Sequence, residues 1–543
     1  MTVPLPPPDI RTLDAALRYR AQVLPDQEFV RVGDSPWVTP AELDRRATAV
    51  ARGLRKLNVA PGDRVATILP NRIEVLEIFF AVAKLGAVQV PLNYWLKGEF
   101  LRYQLADCGA RVLIADQAGL AAAAPLLDRT DIGVLVAVDE DGASDERTVG
   151  WSTVVIDDDS PFEPFPSTAR TLHSILYTSG TTGMPKGCML GNGYFVNSGR
   201  VYHTREWIAP GDRLFTAWPL FHAAGLLNAL CPALMTNASV HYEKEFHAST
   251  YLARAREVGA TTLMGVGFMG NAILAQPPTE KDSEYRFKLA VFPPMAEHKQ
   301  LEFERRFGTP VLCEGYGQTE FLPITASKVS GPRKRSTSGQ IPPTVEVRIV
   351  DDDGNEVPDG TAGEITVRAK VPDSMFQGYW NKSEATLEAW RGLWHHTGDR
   401  GYKDADGFLT FVDRKKDAIR RRGENVSSFE LEIAIAEHPD VAAVAVTAVP
   451  SPVGEDDIKA SIVLKDGATF DPAAMFEFLK NNVPYYAIPR YIDIRGSLPT
   501  NAMGRVMKQV LRDEKVPDGV VDFEQLGFVV PRDQRRAVGA ATR

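Results

Sequence analysis

Tyr177-Thr178-Ser179-Gly180-Thr181-Thr182-Gly183-Met184-Pro185-Lys186-Gly187 decides the reading of this chain, and nine of its eleven residues are Gly, Ser, Thr, Pro or Lys. The short, largely apolar run 172–177 leads into it and reads as a strand. Strand, then a loop of glycines and hydroxyls, then a lysine, is chemistry for holding phosphate. Glycines let the backbone turn its N–H groups toward an anion. Hydroxyls donate further bonds, and a lysine adds a point charge. The common P-loop needs Gly-Lys-Ser/Thr in that order. Here Lys186 precedes Gly187, and no Ser or Thr follows to hold magnesium. The plain alternative is a flexible surface linker, but linkers seldom carry this string.

Working outward, 543 residues suggest three or four units at about 150 residues each. With 44% hydrophobic and 24% charged residues, the composition is that of a soluble globular protein. A net charge of −9 argues against a nucleic-acid partner but leaves a nucleotide substrate open, since local loops handle that charge. Cys108, Cys188, Cys231 and Cys313 form no Cys-x-x-Cys pair, so neither zinc nor a disulfide framework is expected, and a reduced, cytoplasmic setting fits. The N-terminus, Met1-Thr2-Val3-Pro4-Leu5, lacks a basic region and an apolar core, so no signal peptide is expected. The most apolar run, 78–92, is broken by Lys84 and too short for a transmembrane segment.

Helical and strand patterns alternate through residues 10–115. The spacing predicts helices over 41–57 and 74–85, a turn and buried strand over 62–69, and a strand over 87–92. Such alternation argues for α/β layers with mainly parallel strands. Residues 138–160 are acidic and read as a solvent-facing loop. Residues 345–412 change character: strands over 345–350, 364–368 and 407–412 suggest a β-rich subdomain. Beyond a polar, basic run come helix 428–438, strands 441–449 and 459–464, and helix 472–481, a compact α+β unit. Residues 516–543 read as a surface tail.

The opening loop resembles the signature loop of the adenylate-forming superfamily: acyl- and aryl-CoA ligases, peptide-synthetase adenylation domains and firefly luciferase. The resemblance runs over about residues 10–515, and further motifs fall in family order. Arg420-Arg421-Arg422-Gly423-Glu424-Asn425-Val426-Ser427-Ser428 is most similar to carnitine/crotonobetaine-type and related CoA ligases. The implied fold class is α/β. A large N-terminal domain (1–412) would have mixed sheets and a β-rich subdomain, followed by a hinge (413–417) and a small, mobile α+β C-terminal domain (418–515). The implied function is ATP-dependent ligation of a small-molecule carboxylic acid to coenzyme A through acyl-AMP, with Mg²⁺. The alternatives are a degenerate member that binds nucleotide or acyl-CoA but adenylates weakly, and acyl transfer to a carrier protein. Oligomeric state is open, a homodimer being one option.

The resemblance also assigns residues. Thr178, Ser179, Gly180, Thr181, Thr182, Gly183 and Lys186 would grip phosphates. Glu314-Gly315-Tyr316-Gly317-Gln318-Thr319-Glu320 would contact ATP from Glu314 to Thr319: Tyr316 would pack on adenine, Thr319 would touch the α-phosphate and Glu320 would hold Mg²⁺; a carboxylate suits a hard cation. Asp399 would accept from both ribose hydroxyls, as two carboxylate oxygens can. Arg414 and Phe411 would contact the nucleotide, and Met295 and Ala296 would lie along adenine. His222, in Pro219-Leu220-Phe221-His222-Ala223-Ala224-Gly225, would stand between carboxylate and thiol access paths, with a packed core histidine as the alternative. Phe221, Gly265, Gly267 and Phe268 would shape the acyl pocket, the glycines leaving space or making a turn. Lys416 is the implied hinge residue. Gly423 would line the pantetheine tunnel beside Glu424, and Arg420, Arg421 and Arg422 would meet CoA phosphates or form a solvated basic patch.

Two positions depart from the family pattern. Arg505 replaces the lysine that bridges carboxylate and α-phosphate, keeping the charge on a longer, planar group. Lys508 is the alternative cation, three residues on. Pro293-Pro294 replaces a Gly-rich turn and removes two backbone N–H groups.

Overall fold

The structure is a computed structural model that describes residues 4–139, 146–178, 184–414, 418–422, 424–451, 454–499, 506 and 508–531. The large N-terminal domain holds two mainly parallel sheets and an antiparallel one. The first sheet has seven strands, including Arg64–Ile68, Val88–Pro91 and Val112–Ala115, and ends on Leu172–Thr178 and Lys186–Gly191. Its central strands are apolar almost throughout, because helices and a second sheet cover both faces. The second sheet is all parallel, in the order Val30–Val32, Ser239–Tyr242, Arg213–Thr216, Thr262–Met264, Leu289–Val291, Val311–Leu312.

Helix Ile73–Leu85 is apolar all round and buried from Val75 to Leu85. This is how a helix between packed layers reads. Lys84, which interrupts the run, is 2% exposed and pairs with Asp14 at 2.9 Å and Asp44 at 2.6 Å. Two carboxylates compensate the buried ammonium. Among the described residues no helix is long and apolar enough to cross a membrane.

The third sheet is antiparallel and has five strands, in the order Gly339–Gln340, Phe408–Arg414, His395–Lys403, Gly363–Ala369, Val345–Val350. Alternate inward residues of the last two strands, Val345, Val347, Ile349, Ile365 and Val367, form its core. This is the expected β-rich subdomain. The smaller C-terminal domain pairs hairpin Ala418–Arg421/Glu424–Ser427 with a four-stranded sheet and helices Ser428–Ala436 and Pro472–Asn482.

Two expectations need correction. The acidic stretch 138–160 holds strand Thr148–Gly150, which pairs with Leu135–Ala137, and the helical turn Trp151–Val154. The tail expected from residue 516 is in part integral to the small domain. Val521–Asp522 pairs with Tyr491 and Ile492, and Phe523 and Phe528 pack on Phe476. The three aromatic rings supply the apolar area that a tail lacks.

Candidate active site

The parallel strands deliver the site. Arg213–Thr216, Thr262–Met264, Leu289–Val291 and Val311–Leu312 lie side by side. Their C-terminal ends run into the segments that carry His222, Gly265, Met295 and Glu314. Open α/β sheets bind ligands at such ends.

Thr178 is the last residue of its strand, and Lys186, expected in the loop, is the first residue of the next. The two are antiparallel partners, so one ladder rung fixes both ends of the phosphate loop. Ser179, Gly180, Thr181, Thr182 and Gly183 lie outside the described residues. The Lys186 ammonium sits over the ring of Tyr379, 4.8 Å from its centroid. The Tyr379 hydroxyl donates to Glu320 Oε1 at 2.8 Å. Two segments distant in sequence therefore meet across one tyrosine. Motif reading missed Tyr379; Gly378-Tyr379-Trp380 belongs to no periodic element, and its only signal is a glycine before two aromatics.

Thr319 and Glu320 form the tip of hairpin Gly315–Gln318/Phe321–Ala326. Tyr194 Oη donates to the Thr319 carbonyl at 3.2 Å, and Phe376 N–H to the Glu320 carbonyl at 2.9 Å. Gly315 and Gly317 admit close neighbours: an added Cβ would meet the Trp207 ring at 2.7 Å and Leu322 Cδ1 at 2.4 Å. Asp399, 3% exposed, accepts at Oδ2 from Tyr316 Oη at 2.6 Å and from Gln318 Nε2 at 2.7 Å. Gln318 also donates to the Thr397 carbonyl at 2.9 Å and meets His395 Nε2 through Oε1 at 3.4 Å. Burial pushes the His395 pKa down to about 3, so the ring is neutral. Phe411 is 38% exposed, with its ring centroid 6.1 Å from that of Tyr316. Arg414 is the backbone partner of Asp399; its side chain lies outside the description.

Glu314, expected among nucleotide contacts, is fully buried, and its carboxylate takes a bidentate Arg333 at 2.8 and 2.7 Å. The pair anchors the start of the hairpin. Gly265 and Gly267 were read as leaving space for an acyl group or making a turn. The space is occupied by protein: an added Cβ would meet the Phe292 ring at 2.7 Å and the Pro294 carbonyl oxygen at 1.5 Å. The glycines let residues 265–267 lie against the segment that leads to Met295 and Ala296. Phe268 is half-buried and meets Phe246 edge-on at 6.3 Å.

Across the cleft stands the small domain. His222 Nδ1 accepts from Ala224 N–H at 3.1 Å, which leaves Nε2 as the protonated nitrogen. Its ring reaches solvent, yet the surrounding protein and then the Arg420 charge push its pKa down to about 4. Arg420 N–H donates to Asp456 Oδ2 at 3.1 Å. Arg421 is buried and pairs with Asp457 at 3.4 Å, and the exposed Arg422 pairs with Glu524 at 3.4 Å. Both are intradomain ion pairs, and only the buried Arg421 departs from the solvated patch that was one expectation. Burial raises the Glu424 pKa to about 7 and that of Glu430 to about 8. Asn93 donates to Tyr486 Oη at 2.7 Å, Lys97 to the Lys480 carbonyl at 3.2 Å, and the Trp95 and Tyr485 rings meet edge-on at 5.2 Å. Lys416, Gly423 and Arg505 lie outside the described residues. Lys508 pairs with Glu432 at 2.6 Å and donates to Ser428 Oγ at 2.9 Å.

The profile of the AMP-binding enzyme family matches residues 17–380, and that of the AMP-binding enzyme C-terminal domain matches residues 430–505. The chain is 33% identical to a feruloyl-CoA synthase of Amycolatopsis sp over 503 residues, covering 91% of this chain and 97% of that protein. It is 29% identical to the crotonobetaine/carnitine–CoA ligase of Salmonella typhimurium (strain LT2), covering 87% and 92%. Among solved structures it resembles a double mutant of o-succinylbenzoate CoA synthetase (MenE) from Bacillus subtilis, bound with its product analogue OSB-NCoA. The TM-score is 0.78 at 25% identity, covering 92% of this chain and 98% of that one.

Proposed function

The chain belongs to the AMP-binding enzyme family, and from that premise we propose how its residues divide the work of an acid–CoA ligase. The protein is an AMP-forming acid–thiol ligase that uses ATP, Mg²⁺ and CoA. A carboxylate attacks the α-phosphorus of ATP and pyrophosphate leaves; the thiolate of CoA then displaces AMP from the acyl-AMP.

Asp399 holds the ribose hydroxyls. The donors that Tyr316 and Gln318 point at its Oδ2 fix its orientation. Phe411 and Tyr316 flank adenine. Lys186 and the loop 178–183 bind the leaving phosphates, and Thr319 meets the α-phosphate. Glu320 fits a hard cation: it is an oxygen donor at a hairpin tip, steadied by the Tyr379 hydroxyl. Bound Mg²⁺ would offset phosphate charge in the transition state. Arg505 supplies the cation between carboxylate and α-phosphate, because Lys508 is already paired with Glu432. The observation that carries the assignment is the meeting of Lys186 and Glu320 across Tyr379.

In the second half-reaction the small domain presents Arg420, Gly423 and Glu424 to CoA beside His222, with rotation about Lys416 exchanging the two poses. The neutral His222 keeps the acyl and thiol path free of a second positive charge. Residues 1–412 and the small domain, which starts at residue 418 and includes Val521–Asp522, act as the two bodies. The buried, unbridged cysteines suit a cytoplasmic protein, and homodimerisation belongs to the same proposal, read by sedimentation.

The acid is apolar. The part-buried Phe221 and Phe268 supply aromatic surface near the gate, and a feruloyl-CoA synthase is a 33% identical relative. A ligation screen over aliphatic, aromatic and steroid-derived acids, read by mass spectrometry of the CoA thioester, tests this. Turnover of apolar acids is expected. Turnover of short dicarboxylic acids alone would overturn it.

A further inference from the structure

Tyr379 sits where two charged groups meet, and its surroundings hold it there. Strap 376–380 is stitched to the Lys186 strand: Trp380 N–H donates to the Gly187 carbonyl at 2.8 Å, Met189 N–H to the Gly378 carbonyl at 3.0 Å, and Gln377 N–H to the Met189 carbonyl at 2.7 Å. The same strap reaches the hairpin tip through Phe376 N–H and the Glu320 carbonyl at 2.9 Å. Gly378 makes the bend at φ +113°, where an added Cβ would lie 2.8 Å from Thr386 Cγ2. Thr386 Oγ1 in turn accepts from Tyr379 N–H at 2.9 Å. Backbone and side chain are both fixed.

We propose that Tyr379 is a positioning residue for adenylation: its hydroxyl fixes the Glu320 carboxylate toward the metal ion, and its ring face holds Lys186 toward phosphate. The inference rests on the ligase reading. Simple packing would explain the edge-on contact with Phe376 at 5.0 Å. It would not explain a hydroxyl directed at one carboxylate and a ring face under one ammonium. A partner that orients a metal-binding carboxylate affects affinity nearly as a ligand does.

The test is Mn²⁺ binding to the full chain in the presence of α,β-methylene-ATP, read by electron paramagnetic resonance. Tyr379→Phe keeps the ring and loses the hydroxyl. It should weaken Mn²⁺ binding about tenfold or more, while nucleotide affinity in EDTA stays as in the native chain. Tyr379→Leu loses both and should weaken nucleotide binding in EDTA as well. In a Glu320→Gln background Tyr379→Phe should add nothing, an outcome that general destabilisation would not give. Native Mn²⁺ affinity in Tyr379→Phe, with Glu320→Gln impaired, overturns this inference alone. Native Mn²⁺ affinity in Glu320→Gln overturns the metal assignment beneath it.

Discussion

The two walls of the cleft differ in what burial does to their carboxylates. On the nucleotide side each carboxylate has donors in place: Asp399 accepts from Tyr316 and Gln318, Glu314 from Arg333, and Glu320 from Tyr379. On the small-domain side burial raises the pKa of Glu424, Glu430 and Asp456, the last even though it accepts from Arg420 N–H. The first wall is pre-organised, so little reorganisation is needed when phosphate charge arrives. The second carries carboxylates whose ionisation opposes burial, and among the described residues it meets the large domain through Asn93 with Tyr486, Lys97 with Lys480 and a shared apolar cluster.

The largest expected effect would break the comparison outright. Arg505→Ala should abolish acyl-AMP formation from acid and ATP, measured as pyrophosphate release, and still allow thioester formation from supplied acyl-AMP. Arg505→Lys should preserve or improve adenylation. If Arg505→Ala adenylates like the native chain, the small domain contributes no cation to the first step.

A smaller effect sharpens the nucleotide side. Lys186→Ala should cut acyl-AMP formation at least about tenfold, since a charge-assisted contact contributes roughly 1.5–3 kcal/mol. Unchanged pyrophosphate release would remove Lys186 from the phosphate site.

The smallest effect concerns pH. The folded pKa values of Glu424 and Glu430 are raised, to about 7 and about 8. The folded state therefore binds protons that the unfolded chain, with ordinary carboxylates near about 4.3, has released. Their contribution to stability is full below that ordinary value and is lost as pH rises through 7 to 8. Melting scans from acid to alkaline pH should show native stability falling relative to Glu424→Gln. Parallel curves would show that this carboxylate does not oppose burial.

The elements with strong periodicity were legible in the sequence. The strand over 172–177, the helix over 74–85 and the strands over 345–350 and 441–449 are found as Leu172–Thr178, Ile73–Leu85, Val345–Val350 and Val441–Pro450. Burial of one or both faces writes a pattern into consecutive residues. The site was legible only where a motif is contiguous, as with 314–320. Tyr379 was hidden because it acts through a strap with no period. The partner of Glu314 was hidden because Arg333 lies in a loop, and ion pairs leave no mark on spacing. Gly265 and Gly267 misled for a related reason: a glycine marks a close approach without saying whether ligand or protein makes it. Phe523 and Phe528 lay beyond the last periodic element, so the chain end read as tail.

The most direct test measures both half-reactions in two variants, one from each wall. Glu320→Gln should lose pyrophosphate release at least about tenfold and convert supplied acyl-AMP and CoA to thioester at near-native rate. Arg420→Ala should do the reverse. Equal loss of both half-reactions in both variants would contradict a division of labour between Glu320 and Arg420.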